Sequence, residues 1–178
     1  RFLILNYFRP FSIPARFIVL APTTAITLIT WPGGSTSRLN LIPMADDHLD
    51  ALFAINSDPE VMRYITGQPE TREGTQAMIG RVKARWAEWG FSWWSFVEQG
   101  RQDIIGMGCI QHLAHDSANP LEIGSRLRRD KHHQGFATEA AEHMAAFAFA
   151  TLQAPLLTAG KPISGMAGTS GIPARVSD

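Results

Sequence analysis

The chain has 178 residues, of which 45% are hydrophobic and 18% charged, so it can bury the core of one domain and is too apolar to be disordered throughout. Its 16 basic and 16 acidic residues cancel, which excludes an overall basic field that would attract nucleic acid. The single cysteine, Cys109, excludes an intrachain disulfide framework, and a cytoplasmic location is therefore the expectation.

Residues 1–35 are apolar and are interrupted by four prolines. The longest uncharged apolar run extends from Phe17 to Trp31, which is shorter than the roughly 20 residues that a transmembrane helix needs. We therefore expect an irregular extension that is not part of the folded domain, and no stable membrane association. An exported or membrane-attached protein is an alternative that depends on this segment alone.

Both strands and helices are predicted from residue 36 to residue 152, which is typical of an α/β domain. Strands are predicted at 38–44, 91–98, 103–113 and 121–127. Helices are predicted from Asp46 or Asp47, from Asp58, over 71–89 and over 137–152. On the last of these helices, Glu139 is expected to face outward.

Some side chains of the predicted strands have both a structural and a functional interpretation. Trp93, Trp94 and Phe96 could line a substrate pocket, but aromatic residues on both faces of a strand favour positions in the core. Cys109 lies inside a predicted strand, which favours a packed thiol over a nucleophile.

Residues 153–178 are rich in glycine, proline and serine and contain no aromatic residue. Such a segment has little apolar surface to offset the entropy lost on ordering. We expect a mostly irregular tail.

The clearest chemical signal lies between residues 128 and 140. A predicted strand ends at Leu127, a short polar loop follows, and a helix is predicted to begin directly after Gly135. The first N–H groups of a helix have no intrahelical partner, and together with the helix dipole they favour an anion such as phosphate. A Walker A string is absent, and the glycines at 106 and 108 lead into a strand, unlike those of a dinucleotide-binding loop.

Four segments carry a resemblance to one enzyme family. They read T-S-R-L-N-L-I-P at 36–43, S-D-P-E-V-M-R-Y at 57–64, E-I-G at 122–124 and Q-G-F-A-T-E-A at 134–140. In this order and spacing they resemble the GNAT superfamily of N-acetyltransferases, in particular the branch that acetylates ribosomal-protein N-termini. The resemblance covers 36–152 and implies an α/β fold with a mixed, largely antiparallel sheet flanked by helices. Residues 153–178 do not match the family pattern, so the fold is expected to be incomplete at its C-terminal end.

The resemblance also implies an activity, which is transfer of an acetyl group from acetyl-CoA, as co-substrate, to a primary amine without a metal. The last predicted strand before the loop would pair with the pantetheine arm through Ser125, Arg126 and Leu127. The loop and the helix start would hold the pyrophosphate through His132, His133, Gln134, Gly135, Phe136, Ala137 and Thr138.

Glu122 is our candidate for the general base, because a protonated amine cannot attack until it loses a proton. The alternative is an ordinary carboxylate near a strand end. His132 stands where the family has Gln or Arg, and His133 stands where it has glycine, so its bulk is expected to narrow the phosphate site. Both could equally be solvated loop histidines.

The acceptor is not fixed by the sequence: a protein N-terminus and a small-molecule amine both fit. The alternative function is a non-catalytic or truncated acyl-CoA-binding protein without turnover. The expected partner is a small-molecule or peptide amine and not nucleic acid. The sequence does not decide between a monomer and a homo-oligomer.

Overall fold

A computed structural model of the protein describes residues 33–63 and 65–159. Predictions for the N-terminal extension before residue 33, and for the tail from residue 160, therefore lie outside the described residues. None of the helices in the described part of the chain combines the length and apolar character that a bilayer crossing requires.

Six strands form one sheet in chain order: β1 (Gly34–Ser35), β2 (Leu39–Pro43), β3 (Trp93–Glu98), β4 (Asp103–His112), β5 (Leu121–Leu127) and β6 (Leu157–Ala159). The first five pair antiparallel with their neighbours, and β5 pairs parallel with β6. The predicted mixed, largely antiparallel sheet is thus confirmed. β1 consists of two residues that fall within the predicted extension.

Within the described residues, four α-helices accompany the sheet: α1 (Leu49–Asn56), α2 (Pro59–Met62), α3 (Arg72–Trp89) and α4 (Phe136–Ala150). The Asp58 side chain caps α2 by accepting a hydrogen bond from the Glu60 N–H, and Thr71 caps α3 in the same way through Gly74. The expectation that Asp46 or Asp47 caps α1 is wrong. Both aspartates belong to a 3-10 turn, Asp46–His48, and α1 begins after it.

The sheet has an apolar cluster on each face. On one face α4 packs through Met144 and Phe147 against Trp94 and Phe96 of β3. On the other face α1 and α3 pack against Met107 of β4. Trp94 and Phe96 are fully buried, which agrees with the predicted core position for these two aromatics.

Two glycines of β4 leave the space in which side chains pack on the face of the sheet that carries α4. A Cβ atom on Gly108 would lie 2.4 Å from Phe96 Cζ and 2.9 Å from Met144 Cε, closer than carbon atoms can approach. Gly106 is similarly enclosed by Leu127 and Phe96. The two glycines therefore serve packing.

The short strand β6 falls in a segment that the composition predicts to be mostly irregular. Leu157, Thr158 and Ala159 pair with Leu121, Glu122 and Ile123 of β5. Parallel strands need a crossover connection, and α4 supplies it. The missed strand is only three residues long, too short for an alternating pattern to be visible in the sequence.

Glu139 of α4 does not face solvent as predicted but joins the helix to the start of β2. Its carboxylate accepts hydrogen bonds from the Thr36 and Ser37 hydroxyls and from the backbone N–H and Nε of Arg38. Burial would raise the pKa of Glu139, but the hydrogen bonds from Thr36, Arg38 and Ser37 outweigh it and lower the pKa from 4.5 to about 2. We call this set of contacts the Glu139 clasp.

Replacing Glu139 with Gln tests the clasp. A carboxylate whose folded-state pKa is lowered contributes fully above about pH 4.5, and its contribution disappears as pH falls toward 2. We expect Glu139→Gln to lower the free energy of unfolding at pH 7 by about 1.5 to 3 kcal/mol, the range for hydrogen bonds to charged groups. It should also flatten the acid dependence of stability below pH 4.5, measured by chemical denaturation across pH.

The matched control is Glu142→Gln, which removes an exposed carboxylate from the same helix. It should change stability by less than about 0.5 kcal/mol. Equal losses in the two variants would contradict the clasp.

Candidate active site

A cleft of about 580 Å³ opens where the end of β5, the loop before α4 and the region of α2 meet. Its lining combines one carboxylate, two arginines and two histidines with small and apolar groups. The lining residues are Glu60, Val61, Ile65, Ser125, Arg126, Leu127, Arg129, His132, His133 and Ala137.

One wall of the cleft is the outer edge of β5, which is only partly paired with another strand. On its inner edge, β5 pairs with β4 along the whole of β5, from Leu121 to Leu127. On the opposite edge, β6 pairs with β5 only from Leu121 to Ile123. From Gly124 onward that edge has no strand partner among the described residues, so its backbone groups are available to an extended ligand.

The floor of the cleft is the start of α4. The N-cap, Gly135, has φ of 82°, and no side chain caps the helix. The first N–H groups of α4 therefore lack intrahelical acceptors, and the positive end of the helix dipole lies with them. Arg38 holds the preceding turn, since its Nη1 donates to the Gln134 carbonyl at 2.9 Å.

The basic residues of the loop divide into two groups. Arg128 forms ion pairs with Asp103 and Asp130, and the buried Lys131 pairs with Glu98 at 2.6 Å. These two cations are thus neutralised by structural partners. Arg129 lines the cleft without an ion pair to any described carboxylate within 4.0 Å, and it supplies the positive field there.

The two histidines differ in how they are held. His132 Nε2 lies 3.0 Å from the Leu127 carbonyl oxygen, and because a carbonyl only accepts, Nε2 carries the proton. This bond ties the loop to the end of β5. His133 has φ of 59°, a left-handed backbone that favours glycine, and this explains why the resemblance leads one to expect glycine there.

Glu122, the candidate base, lies in a fixed hydrogen-bond chain. The Trp93 indole N–H donates to Gln111 Oε1 at 3.0 Å, and Gln111 Nε2 donates to Glu122 Oε1 at 2.7 Å. The indole can only donate, so it fixes the orientation of the Gln111 amide. Glu122 Oε2 accepts no hydrogen bond from the described residues, and Glu122 itself is not among the residues that line the cleft.

The structure brings most of the predicted cofactor residues together. Six of them line the cleft: Ser125, Arg126, Leu127, His132, His133 and Ala137. The Phe136 side chain is instead buried in the core, so this residue can offer only its backbone N–H. The Gln134 side chain donates to the Asp130 carbonyl, and Thr138 is exposed.

Sequence reasoning missed the opposite wall, formed by Glu60, Val61 and Ile65. Residues 57–64 carry part of the family resemblance, but nothing in their pattern indicates that they face β5. The contact depends on long-range packing of α2, which local sequence patterns do not encode.

Cys109 is the buried thiol that the sequence predicts. Burial, with a smaller effect from Glu122, raises its pKa to about 12, so the thiol is neutral at physiological pH. Across residues 33–63 and 65–159 no three metal-ligating side chains come together.

Comparison with known proteins gives the family. The acetyltransferase (GNAT) domain family matches residues 38–161, and the chain belongs to it. FsC-acetyl coenzyme A-N(2)-transacetylase of Aspergillus fumigatus is 27% identical over 136 residues, which cover 71% of this chain and 57% of that protein. The chain therefore spans little more than half the length of that relative.

Solved structures share the fold. An acetyltransferase of the GNAT family from Bacillus anthracis has a TM-score of 0.61 and 20% identity, covering 71% of this chain and 72% of its own. Ribosomal-protein-S5-alanine acetyltransferase from Vibrio fischeri has a TM-score of 0.59 and 10% identity, with coverage of 71% and 72%. At these identities the likeness shows the fold alone.

Two glycine exchanges test the backbone of the loop. We expect His133→Gly to stabilise the protein by about 1 kcal/mol, because glycine adopts a left-handed backbone without strain. Gly135→Ala should destabilise it by a similar amount, since the residue has a left-handed φ and its new Cβ would lie 3.3 Å from Arg38 Nη2. Thermal melts measure both effects as shifts of a few degrees in Tm.

The control is Gly80→Ala in the exposed part of α3, where a Cβ meets nothing within 4 Å. There alanine should stabilise the helix. A stabilisation by Gly135→Ala equal to that by Gly80→Ala would contradict a strained left-handed backbone at residue 135.

Proposed function

We propose that this protein transfers the acetyl group of acetyl-CoA to a primary amine. The observation that carries the proposal is the partly paired outer edge of β5, which leads directly to the uncapped start of α4. An extended, amide-bearing chain that ends in a pyrophosphate fits this arrangement, and the pantetheine arm of acetyl-CoA has that chemistry.

The cofactor residues divide the binding between them in this proposal. The backbone of Ser125, Arg126 and Leu127 pairs with the amides of the pantetheine arm. The N–H groups from His133 to Thr138 receive the pyrophosphate at the positive end of α4. Arg129 adds a cation beside it, and His132 keeps the loop against β5.

Glu122 acts as the general base. A primary amine is mostly protonated at neutral pH, so it must first lose a proton, directly or through a water, to Glu122 Oε2. The nitrogen lone pair then attacks the thioester carbonyl, and collapse of the tetrahedral intermediate breaks the C–S bond, with the surplus proton of the nitrogen passing to the departing thiolate so that the amide and free CoA thiol are released. The Trp93–Gln111–Glu122 chain holds the carboxylate in place, which preserves the geometry that proximity catalysis requires.

The acceptor is proposed only as a primary amine, on a protein N-terminus or a small molecule. Membership of the ribosomal-protein N-terminal branch is supported by the T-S-R-L-N-L-I-P and S-D-P-E-V-M-R-Y segments. The Aspergillus relative, whose name specifies transacetylation from acetyl coenzyme A, supports acetyl-CoA as the donor.

Binding of acetyl-CoA is tested by thermal melts with and without the ligand. At about 100 times the dissociation constant, acetyl-CoA should stabilise the protein by roughly 2.7 kcal/mol, a shift of several degrees in Tm. An unchanged Tm at saturating acetyl-CoA would contradict the proposed function.

Turnover is tested with Glu122→Gln, which keeps an acceptor for the Gln111 hydrogen bond but removes the base. We expect kcat to fall at least about 100-fold while the stabilisation by acetyl-CoA is retained. Arg101→Gln, in the exposed turn between β3 and β4, is the control with unchanged activity. Stabilisation by acetyl-CoA without release of free thiol for any amine would indicate the non-catalytic alternative.

A further inference from the structure

Arg126 is a mostly buried cation whose partners are unusual. Its Nε lies 3.1 Å from the sulfur of Met107, and its Nη1 and Nη2 lie 3.4 and 3.5 Å from the sulfurs of Met62 and Met78. The guanidinium carbon lies 5.3 Å from the centroid of the Trp93 ring. Thioethers are weak acceptors and an aromatic ring attracts a cation only modestly, so these contacts do not replace an anion.

No carboxylate of the described chain neutralises this guanidinium. None comes within 4.0 Å of it, although Glu60 lines the same cleft and Glu70 lies close enough to act on its charge. A guanidinium has five N–H donors, and sulfur atoms take three of them. Burial lowers the pKa of Arg126 to about 10, which still leaves it charged at neutral pH.

We call the face of the sheet that carries α1, α2 and α3 the acceptor side. The side chain of Arg126 lies on this face. Arg126 is opposite Met107 in the β4–β5 ladder, and Met107 belongs to the cluster on that face. The phosphate-binding start of α4 packs on the other face through Leu127. The guanidinium therefore lies on the opposite face of the sheet from the helix that would bind the phosphates, although Arg126 and the start of α4 both line the cleft at the edge of β5.

Arg126 also shares its face with the candidate base. Alternate residues of β5 point the same way, so Glu122, Gly124 and Arg126 form one row, and Gly124 leaves its centre without a side chain. The Cα atoms at the two ends of this row are separated by roughly 13 Å, four residues at strand spacing. The row thus has the Glu122 carboxylate at one end and, at the other, the guanidinium of Arg126, which lines the cleft.

We propose that Arg126 binds a carboxylate on the acceptor, so that the substrate is a small amino acid whose amine and carboxylate are several bonds apart. The proposal rests on the proposed acetyl transfer. The amine would lie at Glu122, the carboxylate would take the free donors of Arg126, and the thioester would lie beside Gly124. The backbone of residue 126 stays with the pantetheine arm, while its side chain selects the acceptor.

The test compares two amines that differ only in the charge of the far end, 5-aminopentanoate and 5-aminopentanamide. Wild-type protein should use the carboxylate with at least about tenfold higher kcat/KM, the ratio that one hydrogen bond to a charged group provides. In Arg126→Met, which is apolar and fits among the methionines, the ratio should fall to about one, mainly through a higher KM for the carboxylate. Arg126→Lys keeps the charge without the planar fork and should give an intermediate ratio.

The comparison variant is Arg129→Gln, which removes the other arginine of the cleft. It should weaken binding of acetyl-CoA and leave the carboxylate-to-amide ratio unchanged, whereas Arg126→Met should keep the stabilisation by acetyl-CoA. If Arg126→Met instead lost that stabilisation and kept the ratio, Arg126 would belong to the CoA site and the proposal would be wrong. A wild-type ratio near one also overturns it.

Titration calorimetry of the CoA-loaded protein covers the case in which neither amine is acetylated. The carboxylate should then bind at least about tenfold more tightly than the amide, and equal or undetectable binding of both contradicts the proposal. Absence of acetyl-CoA binding by the wild-type protein would refute the proposed function itself. A normal acetyl-CoA shift with a flat amine comparison refutes only the role of Arg126.

Discussion

The need to satisfy one partly buried carboxylate, that of Glu139, organises the part of the fold that the candidate site depends on. Its hydrogen bonds come from Thr36, Ser37 and Arg38, so the beginning of β2 is joined to the first turn of α4. Arg38 continues from there to the Gln134 carbonyl, and its guanidinium carbon lies 4.3 Å from the centroid of the Phe136 ring. The loop that would hold a pyrophosphate is thus fixed from behind, which leaves the first N–H groups of α4 available to a ligand in the cleft.

Two of the positive charges in the loop before α4 also have structural partners. Lys131 and Arg128 form ion pairs with carboxylates from other parts of the protein, and they hold the loop more than they attract a ligand. Arg129 and Arg126 both line the cleft without such partners among the residues described. In our proposals Arg129 serves the phosphate and Arg126 the second substrate, and direct transfer requires both molecules to be bound at once.

Much of this arrangement could be predicted from the sequence. The strand at 121–127, the cap at Asp58 and the glycine before α4 follow local rules of alternation, capping and backbone conformation, and all are found where expected. The prediction for Glu139 was wrong because helical periodicity places its side chain on the solvent side of α4, and only the distant strand β2 reveals its partners. Glu60, Val61 and Ile65 were not predicted to line the cleft for the same reason, since their position opposite β5 is created by tertiary packing. The resemblance of four segments to the GNAT superfamily, by contrast, is confirmed, because several motifs in order carry information that no single pattern does.

The separation between the ends of the Glu139 clasp has a consequence for the order of folding. β3, β4 and β5 are joined by short connections and can pair as successive hairpins, whereas Thr36 and Glu139 are 103 positions apart in the chain. Closing so long a loop costs entropy that only an already assembled sheet can offset, so the clasp belongs to the late contacts. The loop before α4 would then acquire its ligand-ready shape after the rest of the domain. In an unfolding experiment it would be among the first regions to exchange its amide hydrogens.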